Sequence, residues 1–114
     1  MAFVGAATAH IRGATTFNIL TSNATYNSTE LILNNDVSAA TVNMTKGIIT
    51  TKTNTLTITG TRTGNGYIFG NIRRTHAFST GVAYAFEGPD NTITFSSVSG
   101  VTSITVSVEK FSIA

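Results

Sequence analysis

Residues 51–63 read TKTNTLTITGTRT, and this stretch decides the fold because a threonine occupies every second position. Side chains of a β-strand point alternately to opposite faces, so this spacing places all seven hydroxyls on one face and Leu56 and Ile58 on the other. Threonine is β-branched and favours strands. The row therefore predicts a β-rich chain with a candidate binding or association face. Its members are Thr51, Thr53, Thr55, Thr57, Thr59, Thr61 and Thr63.

The composition around this row is that of a single all-β domain with few charges. The 114 residues include 22 Thr, 10 Ser and 10 Asn, charged residues are only 11%, and the apolar share of 41% argues against disorder. The net charge is +2 and the cations are scattered, which makes nucleic acid an unlikely partner. The chain lacks cysteine and has no apolar run of the ~20 residues that a membrane helix requires.

Short β-branched segments with turn residues between them extend across the whole chain. We predict an N-terminal arm at 1–13, short β-solenoid-like rungs over 14–63, and an antiparallel sheet over 64–114, which together form a hybrid of solenoid and β-sandwich. The predicted strands are Thr15–Leu20, Glu30–Leu33, Ala40–Met44, Ile48–Thr50, Thr55–Thr59, Tyr67–Ile72, Ala83–Phe86, Thr92–Phe95 and Ser103–Val108.

Side chains that could support catalysis are sparse. Arg74 and His76 share one strand face and precede Glu87 and Asp90, so they could bind an anion or act as acid and base, although such groups are more often structural. The five carboxylates, Glu30, Asp36, Glu87, Asp90 and Glu109, form no paired or clustered site, and His10 has no companion ligands. We therefore expect no enzyme activity, no cofactor and no metal.

Aromatic residues are concentrated in the second half of the sequence. They could stack on sugars, but we expect Phe78, Phe86 and Phe95 to lie in the core and Tyr84 to keep its hydroxyl near water.

Two groups of segments resemble a recurrent module of large secreted cell-surface proteins of Bacteroidota-type bacteria. They are Leu33-Asn34-Asn35-Asp36-Val37 with Lys46–Thr51 and Thr53–Ile58, and Gly66–Thr75 with Ala83–Gly88. The resemblance covers roughly residues 30–108 and implies an extracellular or surface-attached β-protein without a catalytic centre. Members of that family are usually much longer, which implies either an excised module or a subunit that associates with its own copies.

Our first hypothesis is therefore a non-enzymatic structural module of the bacterial cell exterior, such as a filament, fibre or adhesin-stalk subunit. Its expected partners are copies of itself or neighbouring modules, because few charges and one proline leave strand edges poorly protected. The alternative hypothesis is a carbohydrate- or ice-binding module that uses the threonine face. Glycans are then the expected ligand, and membrane insertion is expected in neither case.

Overall fold

The computed structural model describes residues 1–108, which form ten β-strands and no helix. Accordingly, this part of the chain contains no helix that could cross a membrane. The strands are β1 (Ala2–Gly5), β2 (Ala9–Ile11), β3 (Thr15–Ala24), β4 (Glu30–Leu33), β5 (Val37–Lys46), β6 (Ile48–Thr63), β7 (Tyr67–Thr75), β8 (Ala83–Ala85), β9 (Thr92–Thr94) and β10 (Ser103–Val108).

Most of these strands stack in parallel as a β-solenoid of about four turns, which confirms the predicted fold class. One face is built from β1, β3, β5, the second half of β6 and the second half of β7, each paired in parallel with the next. The other face is built from β2, β4 and the first halves of β6 and β7. Each turn thus crosses both faces, and the core lies between them.

Alternation along each strand creates columns of apolar side chains inside the solenoid. Val37, Leu56 and Ile72 occupy one register position on successive strands and are buried. On the opposite face, Leu31, Ile49 and Ile68 form the facing column, and all three are fully buried. Each column repeats an aliphatic side chain at one register position, so successive rungs pack directly on one another.

Strand β6 contributes to both faces, and its bend between them lies near Lys52. Lys52 has a φ of 58°, the left-handed region that a residue with a side chain rarely adopts. Gly70 makes the corresponding bend in β7 with a φ of 114°, and a Cβ there would overlap the Thr51 hydroxyl. The next rung therefore requires glycine where β6 tolerates lysine.

The parallel stack begins at residue 2 and ends at residue 74, so it extends past the expected 14–63 at both ends. Residues 1–13 are not an arm outside the stack, because β1 and β2 each pair with a strand of the following rung. Strand β7 falls in the region expected to be antiparallel, yet it pairs in parallel with β6. The expected single domain reaches residue 114, and its last six residues lie outside the described part.

Antiparallel pairing is confined to two places near the end of the described chain. Strand β10 pairs with the second half of β7, and β8 pairs with β9 in a separate hairpin. The segment that includes this hairpin covers the end of the solenoid core through Phe78, Tyr84 and Phe86, which are buried. We call residues 76–95 the cap.

Candidate functional site

The threonine row does not form one straight face. Thr55, Thr57, Thr59, Thr61 and Thr63 alternate with inward residues on the second half of β6 and point outward. Thr53 is exposed at the bend. Thr51 comes before the bend, is fully buried, and its Oγ1 accepts a hydrogen bond from the Asn71 N–H at 2.8 Å. The left-handed turn at Lys52 is what breaks the predicted period.

Outward polar side chains of neighbouring strands stack against this row in columns. One column holds Thr16, Ser38 and Thr57. In a second, Thr61 lies beside Thr41, with the two hydroxyls 3.4 Å apart. The strands are about 4.8 Å apart, so the outer surface carries several aligned rows of hydroxyls.

A third column includes amide groups and is closed by hydrogen bonds. The Thr63 hydroxyl donates to Asn43 Oδ1 at 2.8 Å, and Asn43 Nδ2 donates to the Thr21 hydroxyl at 3.5 Å. Ile19 and Arg73 interrupt the polar surface at its two borders, since both side chains point outward beside the threonine columns.

The first rung leaves part of the sheet edge without a partner strand. Strand β1 covers only Thr21–Ala24 of β3, so Thr15–Asn18 has β5 on one side and no strand on the other within the described chain. The Met1 amine donates to the Ile19 carbonyl, and the Met1 carbonyl accepts from the Thr21 N–H. The N–H direction follows the face of the side chain along a strand, so the outward residues Thr16 and Asn18, like Thr21, turn their amides towards the uncovered side.

We call Thr15–Asn18 together with β1 the open N-terminal edge. Its apolar side chains are unusually exposed: Val4 is 65% and the neighbouring Ile19 is 45% accessible. Neither segment contains a charged side chain or a proline, which are the usual protections of an edge strand.

Strand β10 forms the opposite edge of the same sheet, and among residues 1–108 it pairs only with β7. Its Val106 lies opposite Ile72. The same register position continues through Leu56 and Val37 to Thr15. The open part of β3 and the outer strand β10 therefore lie at the same position along the face, at its two ends. The residues of β10 are also uncharged.

Arg62 holds the cap to the solenoid from inside. It shares strand parity with Leu56 and Ile58, so it points inward, and it is only 7% exposed. Its Nε donates to the Phe86 carbonyl at 3.0 Å, and Nη2 donates to the Glu87 carbonyl at 2.9 Å. The remaining donors contact the carbonyls of Thr63, Gly64 and Gly66. Burial lowers the pKa of Arg62 to about 10, and the Glu87 charge opposes that shift.

Arg74 makes a second internal anchor one rung further on. Its guanidinium donates to the Ala85 and Gly60 carbonyls and lies 5.3 Å from the centre of the Tyr84 ring. Burial lowers the pKa of Arg74, and Tyr84 counteracts part of that effect. The Arg74 guanidinium is thus engaged in structural hydrogen bonds and is not available to bind an anion.

His76 lies beside Arg74 at the base of the cap. Its Nε2 is 3.5 Å from Arg74 Nε, and its ring packs edge-on against Phe78 and Tyr84. Burial, followed by the Arg74 charge, lowers the pKa of His76. Tyr84, expected to keep its hydroxyl near water, is buried instead, and its hydroxyl oxygen accepts the Ser79 N–H at 2.6 Å.

The residues considered for acid–base chemistry line two different cavities. Arg74 and His76 line an open cavity of about 460 Å³ between β6 and the cap. Glu87 and Asp90 line another, of about 250 Å³, beside β10. Glu30 and Asp36 lie on the solenoid, where they accept hydrogen bonds from Thr50 Oγ1 and the Thr55 N–H. Glu109 lies outside the described residues.

Sequence reasoning missed Arg62 and the open N-terminal edge, and it named Arg74 without its role as an anchor of the cap. Arg62 and Arg74 follow the inward parity of Leu56 and Ile72, and that parity is the signal that could have identified them. Within residues 1–108, His, Asp and Glu side chains form no cluster of three that could hold a metal ion. No known family model matches the chain, and searches found neither a similar curated protein nor a similar solved structure.

Proposed function

We propose that this chain is a non-enzymatic structural module of the bacterial cell exterior that associates with further copies of itself. One observation carries the proposal. The open part of β3 and the outer strand β10 lie at the same position along one sheet, at opposite ends, and neither has a charged residue. Strand addition of β10 from one copy to β3 of the next would satisfy the free backbone groups of both.

The contact would be heterologous, since two different edges meet. Interfaces of this kind produce rings when the rotation closes and open filaments when it does not. A stack of rungs joined along its own axis favours the open filament, which agrees with a fibre or stalk. The cell-exterior location is supported by the low charge and the high content of threonine, serine and asparagine.

The experiment is light scattering across a concentration series, followed by negative-stain electron microscopy. We expect the mean mass to rise with concentration and filaments to appear. Thr16→Pro should lower the mass, because it removes an amide donor at the open edge and leaves the β3–β5 ladder in place. A chain that stays monomeric at every concentration would contradict the proposal.

A pair of charge variants provides the matched control. Thr16 and Ser38 occupy one outward column, but Thr16 lies on the open edge and Ser38 lies one strand further in. Thr16→Lys should block assembly because a lysine on an edge strand disfavours pairing. Ser38→Lys adds the same charge and should assemble normally. Equal behaviour of the two would show that association does not use this edge.

A second candidate function is binding of carbohydrate or ice by the outer threonine surface. The aligned columns favour it, because Thr41 and Thr61 place their hydroxyls side by side on neighbouring strands. Thr41→Leu combined with Thr61→Leu should abolish binding on a glycan array, or inhibition of ice recrystallisation, without changing the melting temperature. Wild-type chain that is inactive in both assays would remove this candidate.

A further inference from the structure

The cavity beside β10 contains a buried carboxylate that lacks a full set of partners. Glu87 is 6% exposed, and its Oε2 accepts a hydrogen bond from Asn91 Nδ2 at 3.0 Å. Its Oε1 is buried and accepts no hydrogen bond from residues 1–108. Burial of an unpaired charged oxygen is unfavourable, so this atom needs a positively charged or hydrogen-bonding partner.

Arg62 does not supply that partner. Its guanidinium donors are directed to backbone carbonyls, and the contact to Glu87 is made with the main-chain oxygen at 2.9 Å. The Arg62 charge and the Glu87 charge attract each other, but no guanidinium N–H contacts the carboxylate in the described structure. The Glu87 Oε1 atom is thus left without a hydrogen-bond donor among residues 1–108.

The cavity around Glu87 presents further oxygen atoms and no sulfur or imidazole donor. Its volume is about 250 Å³, and Asp90 contributes a second carboxylate. The other lining residues are Phe86, Asn91, Thr92, Ile93 and Val106. Oxygen ligands of this type select a hard cation over zinc or copper.

We propose that this cavity binds a calcium ion through the carboxylates of Glu87 and Asp90. Two carboxylates supply anionic oxygen ligands, and backbone oxygens and water can complete the six to eight ligands that calcium takes. Calcium accepts irregular coordination, whereas magnesium demands a near-ideal octahedron that two carboxylates on one turn do not provide. The ion would tie the Glu87–Asn91 turn of the cap beside β10.

The alternative role for Glu87 is only to balance the charge of Arg62, and the test separates the two. The chain is first treated with EDTA and dialysed, and CaCl₂ is then added while the melting temperature and the heat of binding are recorded. We expect a single site by calorimetry and a melting temperature that rises with calcium concentration. MgCl₂ at equal ionic strength should give a much smaller rise.

Asp90→Asn is the decisive variant because Asp90 is exposed and its loss should not unfold the cap. We expect it to weaken calcium binding at least about tenfold, and Glu87→Gln to abolish binding. Glu30→Gln, which removes a carboxylate from the solenoid, should bind calcium like the wild type. Absence of binding heat, equal responses to CaCl₂ and MgCl₂, or undiminished binding by Asp90→Asn would overturn the proposal.

Discussion

The two ends of the solenoid are built in different ways. At the C-terminal end of the described chain, the buried side chains of Arg62 and Arg74 donate hydrogen bonds to backbone carbonyls of the cap and hold it in place. At the N-terminal end, β1 and β2 contribute one buried apolar side chain each, Phe3 and Ile11, and leave part of β3 uncovered. The C-terminal end of the described solenoid is thus closed by the cap and its two arginine anchors, whereas the N-terminal end consists of two short strands.

This difference shows how polar side chains protect the terminal rung of a solenoid. A repeat stack needs its terminal rungs protected, since an unprotected rung exposes both its apolar face and its free backbone groups. Arginine serves this purpose at the capped end because its fork of donors satisfies several carbonyls at once. Within residues 1–108 no buried arginine anchors the open end in this way, and that end is therefore the candidate association surface.

The largest effect should come from breaking the capped end at Arg62. Arg62→Met leaves buried carbonyls without donors, and each unpaired buried group costs about 1–3 kcal/mol. We expect the free energy of unfolding to fall by at least about 3 kcal/mol in urea denaturation. Arg73→Met is the matched control: Arg73 is exposed, so its loss should change stability by less than about 0.5 kcal/mol. Similar losses for both variants would refute the anchoring role of Arg62.

A pair of phenylalanine truncations compares the two ends directly. Phe86 is 2% exposed in the cap and packs within 5.9 Å of the Arg74 guanidinium, whereas Phe3 lies on a four-residue strand. Phe86→Ala should cost about 3–5 kcal/mol. Phe3→Ala should cost less, because the first rung can open locally without unfolding the rest. Hydrogen exchange should show local loss of protection for Phe3→Ala, and a larger global loss for this variant would reverse the comparison.

The prediction of fold was strongest where a strand alternates without interruption. Glu30–Leu33 and Ser103–Val108 coincide with observed strands, and the row at 55–63 has the predicted alternation. The strands at residues 2–11 were missed because three or four residues are too few for a period to be recognised. Their position depends on pairing with β3 and β4, which no local pattern encodes.

The site was less predictable because it depends on where the chain bends. The left-handed conformation of Lys52 divides the threonine row, and lysine gives no local signal for such a bend, unlike glycine. The anchoring of the cap was hidden for a similar reason. Arg62 carries an inward parity, but its carbonyl partners Phe86 and Glu87 lie 24 and 25 residues further along the chain.

Acidification should weaken the capped end through His76. Burial and the Arg74 charge lower the pKa of His76 in the folded chain, so the unfolded chain binds that proton more readily. Stability is therefore full above the ordinary pKa of about 6.5 and falls as the pH drops through that value. The melting temperature should decrease between about pH 7.5 and about pH 5. His76→Asn should reduce this decrease and His10→Asn should preserve it, so equal slopes in the two variants would contradict the assignment.

The smallest effect should come from relieving the bend at Lys52. A left-handed conformation costs a residue with a side chain about 1–2 kcal/mol, and glycine avoids that cost at the expense of a more flexible unfolded chain. We expect Lys52→Gly to be neutral or to stabilise by up to about 1 kcal/mol. Lys52→Val should destabilise by more than about 1 kcal/mol. Thermal denaturation checks both values, and a stabilising valine would show that the bend is not strained.

Amide hydrogen exchange at low and high protein concentration tests the central claim most directly, because it reports on the edge itself. The claim is that the uncovered half of β3 joins β10 of another copy. Protection of the Thr16 and Asn18 amides and of β10 should rise with concentration, while the interior amides of β5 stay unchanged. Exchange at Thr16 and Asn18 that remains fast at every concentration would contradict the account.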